Sequence, residues 1–309
     1  MRSTTSAMSS PRQVVPGRAY LVTRRCTQRQ FLLRPDQETN NAFIYCLAYA
    51  AEAAEVDVVA FVANANHYHA VVVDKLGQIP RFLEQFHKLL AKHQNVLRGR
   101  WENFWSSEQT SLVELIGPDD ILAKIVYTLT NPVKDHLVEQ AHHWPGAISL
   151  AGTIHGKSVT ASRPTRFFRP DGNMPERVEL RCVKPPGFQH LPPEKYREVL
   201  LDAIKAAETA AADERRTSGR RLLGRKAVLA QETNDRPHSQ EPRRNLHPQI
   251  AAADKLPRLE AIRNLKAFRA AYAAARDLWL AGTAVLFPEG TWWLRRFAAV
   301  PCASPDCAT

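Results

Sequence analysis

His67 and His69 stand one residue apart in Asn66-His67-Tyr68-His69, and the apolar run Ala70-Val71-Val72-Val73 follows directly. β-Branched residues favour extended backbone, whose period of two points both imidazoles to one face and Tyr68 to the other. Two imidazoles held by a strand are a natural start for a divalent metal site. Two histidines at the wet end of a core strand explain the same residues equally well.

The positions that follow narrow what the pair could do. A histidine-triad nucleotide hydrolase would carry a third His at 71, and a zinc hydrolase of the HxHxDH type would carry acidic and His residues just downstream. Val71 and Val72 stand there instead, so further ligands must come from elsewhere. The best candidate is the segment from Pro118 to Lys134. Asp119 and Asp120 suit a helix N-terminus, and Ile121, Leu122, Ile125 and Leu129 recur at helical spacing. Pro132 disfavours a helical residue before it, so the helix is expected to end near Asn131. Tyr127 and Asn131 lie four apart, on one face of that helix. Tyrosine can act as a nucleophile, and asparagine can offer an oxygen ligand or hold a water. On spacing alone, a tyrosine at the core edge of an amphipathic helix is the simpler account of Tyr127.

Taken together, Asn66-His67-Tyr68-His69 and Tyr127-x-x-x-Asn131-Pro132-Val133-Lys134 resemble the paired motifs of the single-tyrosine HUH transposases, most nearly the REP-associated tyrosine transposases. In that group a YxxxNPV helix follows an NHYH strand at a similar interval. The resemblance spans residues 15–150 and implies an α+β, ferredoxin-like βαββαβ catalytic domain that cleaves single-stranded DNA. Residue by residue, His67 and His69 match the metal ligands, Tyr127 the nucleophile, and Asn131 the helix position that completes the metal shell. Insertion-sequence members carry the longer Gln there. Replication initiators place Lys three residues after the tyrosine, where this chain has Thr130. Relaxases place the tyrosine ahead of the His motif, which would leave Tyr20, a residue of an apolar-alternating strand that reads as structural.

The chemistry implied by the resemblance suits these residue types. A phosphodiester repels nucleophiles through its negative charge, so cleavage needs neutralisation and in-line attack. Mg²⁺ or Mn²⁺ held by His67, His69 and Asn131 would polarise a non-bridging phosphate oxygen. Attack by the Tyr127 oxygen would give a 5′-phosphotyrosine and a free 3′-hydroxyl. A free phenol has a pKa of about 10, so it needs a base, a metal or a nearby cation to react at neutral pH. The phosphotyrosine keeps the bond energy, which makes strand transfer reversible without ATP. Imidazole and amide oxygen together accept several metals.

These residues need elements to position them. Gly17 to Arg25 reads as a first strand, Asp36 to Ala54 as a helix with Phe43, Leu47 and Ala50 or Ala51 inward, and Val56 to Val62 as a second strand. Residues 63–66 turn into the His strand, Pro80 to Leu97 reads as a second helix with Phe82, Phe86, Leu89 and Leu90 inward, and Ser111 to Ile116 as a fourth strand. That order is βαββαβ with the tyrosine helix added.

The 309 residues carry a formal net charge of +11, which suits a nucleic-acid partner bound through phosphates in a salt-dependent way. Within the first domain the expected phosphate contacts are Arg18, Arg24, Arg25, Lys88, Lys92, Arg98, Arg100 and Lys134, each singly as well explained by a solvated surface. Trp101, Phe104 and Trp105 could stack on unpaired bases, although core packing is the plainer reading.

Beyond Trp144-Pro145-Gly146 the composition changes. Seven prolines between Pro164 and Pro193 suggest an extended connector over 151–192, leading away from the catalytic domain. A mostly helical region is expected over 193–309, with helices from Pro193 to Asp213 and from Leu259 to Ala281, the latter aligning Ile262, Leu265, Phe268 and Tyr272. The basic run from Arg215 to Leu229 weakly resembles a helix-turn-helix, and its Arg220, Arg221 and Arg225 could grip the duplex part of a DNA hairpin. A polar loop is expected from Arg236 to Pro257, and a tail element from Val285 to Arg296.

Residues 1–14 are too polar to pack and are expected to be disordered, with no apolar export segment after the first Arg. Cys26, Cys46, Cys182, Cys302 and Cys307 form no CxxC pair, so reduced thiols in the cytoplasm are the simple expectation. No long apolar stretch marks a membrane span. His136, His142 and His143 read as surface residues. Two function classes remain. One is a nuclease and strand transferase on single-stranded or hairpin DNA, acting as a monomer or homodimer. The other is a domesticated, sequence-specific DNA-binding protein with little cleavage activity. The complete set His67, His69, Tyr127 and Asn131 favours the first.

Overall fold

The computed structural model describes residues 11–238 and 248–303. In chain order come β1 (Arg18–Arg25), α1 (Gln37–Ala53), β2 (Val56–Ala63), β3 (His67–Asp74), α2 (Ile79–Leu97), β4 (Ser111–Leu115) and α3 (Pro118–Lys134). After these follow α4 (Leu150–His155), β5 (Val159–Ser162), β6 (Arg177–Leu180), α5 (Pro193–Ser218), α6 (Arg225–Ala230), β7 (Ile250–Ala251) and α7 (Lys255–Leu280). The protein is a mixed α/β structure around a five-stranded sheet of order β2-β3-β1-β4-β7. β3 lies inside it, antiparallel to both β1 and β2, while β1 also pairs antiparallel with β4, and β7 joins β4 in parallel.

Alternation along the strands divides two cores. Tyr20, Val22, Tyr68, Ala70 and Val72 face α1 and α2, where Phe43, Phe82 and Phe86 meet them. Ala19, Leu21, Val71 and Val73 face the other way, against Ile121, Ile125 and Leu129 of α3. His67 and His69 share the parity of Val71 and Val73, so the strand period that buries the valines also aims both rings toward α3.

Side-chain caps fix where the helices begin. Asp36 accepts from the Thr39 N–H at 2.7 Å, and Arg98 binds both Asp36 and Thr39, at 2.8 and 2.7 Å. The Asp74 carboxylate accepts from the N–H groups of Gln78 and Ile79 at 2.6 and 2.9 Å, joining the end of the His strand to α2. Asp120 accepts from the Gly117 N–H at 3.0 Å at the start of α3.

Several expectations are corrected. α3 does not stop at Asn131 but runs through Pro132 to Lys134. Within one turn of the helix end, Pro132 forfeits only the bond to the Thr128 carbonyl. Asn131, Pro132 and Val133 are all buried, and the N–H groups of Asp135, His136 and Leu137 close turns onto their carbonyls. The segment 151–192 is no connector. α4 binds β2 through Thr153, whose hydroxyl donates to the Val59 carbonyl at 3.0 Å. The β5–β6 hairpin adds Ala161, Phe168, Val178 and Leu180 to the core around α1. Its prolines mark turns without directing the chain outward. Nor is the C-terminal region separate: Tyr196, Leu200 and Ile204 of α5 share a core with Ile121, Ile125 and Leu129 of α3. Over the basic run α5 continues to Ser218, Gly219 caps it in the left-handed region at φ 66°, residues 220–224 are non-helical, and the short α6 begins at Arg225.

Residues 1–10 lie outside the described residues, but the N-terminal segment expected to be unpacked over 1–14 ends in an anchor. Val14 is buried and its N–H donates to the Gly290 carbonyl at 3.0 Å. Of the loop expected from Arg236 to Pro257, residues 239–247 lie outside the described residues, while β7 and the start of α7 occupy part of the rest. In α7 Phe268 is buried, whereas Ile262 is exposed. In the tail, Phe287 packs with Ala275, Val300 and Cys302.

Chain segments also line the β2 edge, while β7 and the residues before it cover β4. Along β2, Ala63 donates to Ala147 at 2.8 Å, Ser149 to Phe61 at 3.0 Å, and Val183 to Val58 at 3.0 Å. Along β4, Glu114 donates to Gln249 at 2.8 Å and Ile116 to Ala251 at 3.2 Å. Among the described residues no helix is long and apolar enough to cross a membrane. Cys26, Cys46 and Cys302 are buried free thiols and Cys182 is half-buried, while Cys307 lies outside the described residues.

Candidate active site

The two imidazoles meet edge to face, with centroids 4.8 Å apart and planes at 82°. His67 Nδ1 lies 2.7 Å from Asn66 Oδ1, an atom that only accepts, so Nδ1 carries the proton and Nε2 keeps its lone pair. His69 Nδ1 lies 2.7 Å from the hydroxyl of Thr23, its register partner on β1. With Nδ1–H donating to that hydroxyl, His69 Nε2 is also a bare lone pair. It is buried without a hydrogen-bond partner. Burial first, then the charges of His67, Arg25 and Lys124, hold the His69 pKa well below the usual histidine value, so the ring stays neutral.

α3 brings the other two residues to this face. The Tyr127 ring lies 5.1 Å from the His69 ring at 71°. One turn on, Asn131 is buried and its Oδ1 accepts from Asn64 Nδ2 at 2.6 Å. The same Nδ2 lies 3.0 Å from His67 Nε2. His67, His69, Tyr127 and Asn131 therefore come together, although no sequence-local feature joins the strand to the helix. Two ammonium groups flank the phenol: Lys124 Nζ lies 5.7 Å and Lys134 Nζ 5.2 Å from the Tyr127 ring centroid.

Sequence reasoning missed three residues here. Lys124 precedes Tyr127 by three on the same helix, a spacing that could have found it. Thr23 could have been found only by aligning β1 against the His strand. Asn64 was read as a plain turn residue and carried no signal of its own.

The face behind the histidines is closed by a buried network. The Tyr68 hydroxyl lies 2.6 Å from His87 Nε2, and Arg24 Nη1 lies 2.6 Å from His87 Nδ1. Arginine can only donate, so His87 Nδ1 accepts and Nε2–H faces the Tyr68 oxygen. Trp105 donates from Nε1 to the His87 carbonyl at 3.0 Å and lies under the Arg24 guanidinium, 5.3 Å away. Arg24, expected on phosphate, is thus engaged behind the sheet. Phe104 and Trp105 belong to the core, while Trp101 is 87% exposed.

The other cations divide by place. Arg18 sits opposite Asp74, at the far end of β1 from the pair Arg25 and His67, and ion-pairs with Glu114 at 3.0 Å. At about 3.3 Å per residue Arg18 lies roughly 23 Å along the sheet from His67 and roughly 17 Å from His69. Arg98 is taken by Asp36 and Thr39. Lys88 and Lys92 are exposed on α2, which covers the opposite face of the sheet, Lys92 lying 5.7 Å over the Phe167 ring, and Arg100 is half-buried beyond the helix end. Arg25 and Lys134 are exposed at the histidine end. Arg220, Arg221 and Arg225 are exposed, Arg220 near Glu214 at 3.6 Å and Arg225 donating to the His143 carbonyl at 3.2 Å. Their segment is stitched to the end of α3, where Leu223 and Gly224 donate to the carbonyls of His136 and Leu137 at 2.9 and 3.0 Å. His136, expected on the surface, is buried in the left-handed region at φ 55°. His142 is exposed and His143 half-buried.

Among the described residues no three His, Cys, Asp or Glu side chains cluster to hold a metal. The donors at this site are two imidazoles and amide oxygens.

No family model matches this chain, and no curated protein does. Two solved transposase structures are similar to it. One is a REP-associated tyrosine transposase bound to a REP hairpin, at 16% identity and a TM-score of 0.39, covering 46% of this chain and 82% of that one. The other is a candidate transposase from Deinococcus radiodurans R1, at 16% identity and a TM-score of 0.27, covering 34% of this chain and 85% of that one.

Proposed function

We propose that the chain is a metal-dependent single-stranded DNA endonuclease and strand transferase, a transposase that works through a 5′-phosphotyrosine on Tyr127. The supporting observation is the convergence between β3 and α3 of two imidazole Nε2 lone pairs, the Asn131 amide oxygen and the Tyr127 ring. The strand and helix order βαββαβ with sheet order β2-β3-β1-β4 supports the ferredoxin-like reading of the core.

The residues fit a divalent cation. His69 Nε2 is buried with no partner, Asn66 fixes the tautomer in which His67 Nε2 carries no proton, and the Thr23 hydroxyl can accept from His69 Nδ1–H to leave His69 Nε2 unprotonated as well. His67, His69 and Asn131 would hold it. When bound, Mg²⁺ or Mn²⁺ supplies positive charge that polarises the scissile phosphate and lowers its repulsion of a nucleophile.

The chain's own groups do the rest. Tyr127 is positioned by α3, whose apolar stripe Ile121, Ile125 and Leu129 locks the helix on the sheet. Its oxygen bonds to phosphorus as the bond to O3′ breaks, the phenol proton leaves to solvent, and the released 3′-oxygen takes up a proton. Phosphoester bonds are exchanged one for one, so the reverse step needs no further energy source. Lys124 and Lys134 put positive charge beside the phenol, where phenolate and phosphate both gain from it. Arg25 and Lys134 are placed to hold the strand near the site, and Arg220, Arg221 and Arg225 to hold a hairpin duplex beside it.

The test is a labelled oligonucleotide with a hairpin 5′ of a single-stranded segment, incubated with Mn²⁺ or Mg²⁺ and run under denaturing conditions. A covalent adduct that disappears in Tyr127→Phe and with chelator is expected. An adduct that survives Tyr127→Phe, or tight binding with no adduct on selected target sequences, would defeat the proposal.

A further inference from the structure

Asn64 closes the turn between β2 and the His strand and is 2% exposed. Its Nδ2 is the meeting point of two acceptors, Asn131 Oδ1 at 2.6 Å and His67 Nε2 at 3.0 Å. Its Oδ1 is buried with no hydrogen-bond partner, the same condition as His69 Nε2. A buried amide oxygen without a donor is an expensive arrangement that folded proteins rarely keep without a use. The backbone around it is tied on every side. Asn64 N–H donates to the His67 carbonyl at 2.8 Å, Ala63 to Ala147 at 2.8 Å, and Leu33 to Ala65 at 2.8 Å. Trp144 Nε1 donates to the Ala63 carbonyl at 3.0 Å. What stays free to change is the side-chain amide, whose half-turn leaves its outline unaltered.

We infer that Asn64 is a further ligand of the divalent cation, its amide turning so that Oδ1 faces the point on which His67 Nε2 and Asn131 Oδ1 already converge. This rests on reading His67, His69 and Asn131 as the metal site. Without the cation, Nδ2 occupies that point and satisfies two lone pairs that would otherwise face each other. With it, the positive charge takes over both acceptors and Oδ1 gains a partner, while the half-turn carries Nδ2 to the buried position that Oδ1 leaves. One side chain therefore serves as placeholder in one state and as ligand in the other.

The two roles give opposite signatures in Asn64→Asp. A carboxylate cannot donate to Asn131 Oδ1, so the metal-free protein loses stability, while Mn²⁺ gains a charged ligand. The experiment is calorimetric titration of the full chain with MnCl₂ in the absence of DNA, paired with urea unfolding in EDTA. Wild type is expected to bind Mn²⁺, and His69→Ala to abolish binding. Asn64→Ala is expected to weaken it by about tenfold or more. Asn64→Asp is expected to tighten it while lowering the urea midpoint in EDTA. Asn64→Ala binding as tightly as wild type, or more tightly, would overturn the role of Asn64 while leaving the histidine site standing. So would Asn64→Asp with unchanged or weakened binding, a variant that also decides the matter if Asn64→Ala fails to fold. Wild type that binds no Mn²⁺, or binds it regardless of His69→Ala, would overturn both readings.

Discussion

Gly146 is where a single added methyl group should reach the active site from outside it. A Cβ built on Gly146 would lie 2.4 Å from Trp144 Nε1, 2.9 Å from Trp144 Cε2 and 2.8 Å from the Ala63 carbonyl oxygen. None of those separations is tolerable for carbon, and both neighbours are buried, Trp144 at 4% exposure and Ala63 at 2%. The indole must move, which breaks its 3.0 Å bond to the Ala63 carbonyl. A buried polar group left unpaired costs about 1–3 kcal/mol, and overpacking about as much again, so Gly146→Ala should lose about 2–6 kcal/mol. Against a total stability of about 5–15 kcal/mol that is a large fraction. Trp144→Phe removes the bond without the clash and should lose the smaller part. Urea unfolding followed by far-ultraviolet circular dichroism measures both. Because the Ala63 carbonyl leads directly into Asn64, the Mn²⁺ affinity of folded Gly146→Ala should fall as well. Gly146→Ala within about 0.5 kcal/mol of wild type, with Mn²⁺ binding intact, would refute the idea that this contact anchors the turn.

Three further outcomes are expected. Tyr68→Phe leaves the buried His87 Nε2–H without its acceptor and should cost about 1–3 kcal/mol in urea unfolding, yet leave Mn²⁺ affinity unchanged because it acts behind the sheet. Burial, reinforced by Arg98 and Arg166, lowers the His93 pKa from 6.5 to about 4, and burial lowers those of His69 and His87 in the same direction. The unfolded chain therefore takes up these protons first as pH falls, so stability is whole above about pH 6.5 and is lost toward pH 4. Urea midpoints that stay level between pH 7 and pH 5 would contradict this. Arg25→Ala should flatten the salt dependence of hairpin binding by about one unit of log–log slope, whereas Arg18→Ala, at the other end of β1, should not. Equal slopes for the two variants in filter-binding titrations would show that the strand does not approach the histidine end.

The elements that position the site were legible because one physical rule sufficed for each. The period of two across Tyr68 to Val73 placed the imidazoles, and the stripe of Ile121, Ile125 and Leu129 placed Tyr127 and Asn131 on one helix. Asn64 was not legible, since its meaning lies in a bond to Asn131, 67 residues away, that only the packed sheet and helix create. Prolines misled in the segment 151–192 because they report local turns and not the direction the chain then takes. Tyr196, Leu200 and Ile204 recur every four residues along α5, but nothing in that spacing names α3 as the surface they cover. Arg18, Arg24 and Arg98 were judged by charge alone, and each proved to have a partner within the fold.

The occupied edges of the sheet carry a consequence for assembly. Strand-to-strand pairing between copies needs a row of unclaimed backbone donors and acceptors at an outer strand. β2 has given its outer groups at Val58, Phe61 and Ala63 to residues 183, 149 and 147, and on the other side the outer strand, β7, is only two residues long. A second copy adding a strand along β2 would first have to peel away the protein's own chain, and along β7 it would find only two residues to pair with. Copies of this protein that associate should therefore do so through side chains on helical or loop surfaces, and should resist the continuous sheet growth to which bare-edged folds are prone.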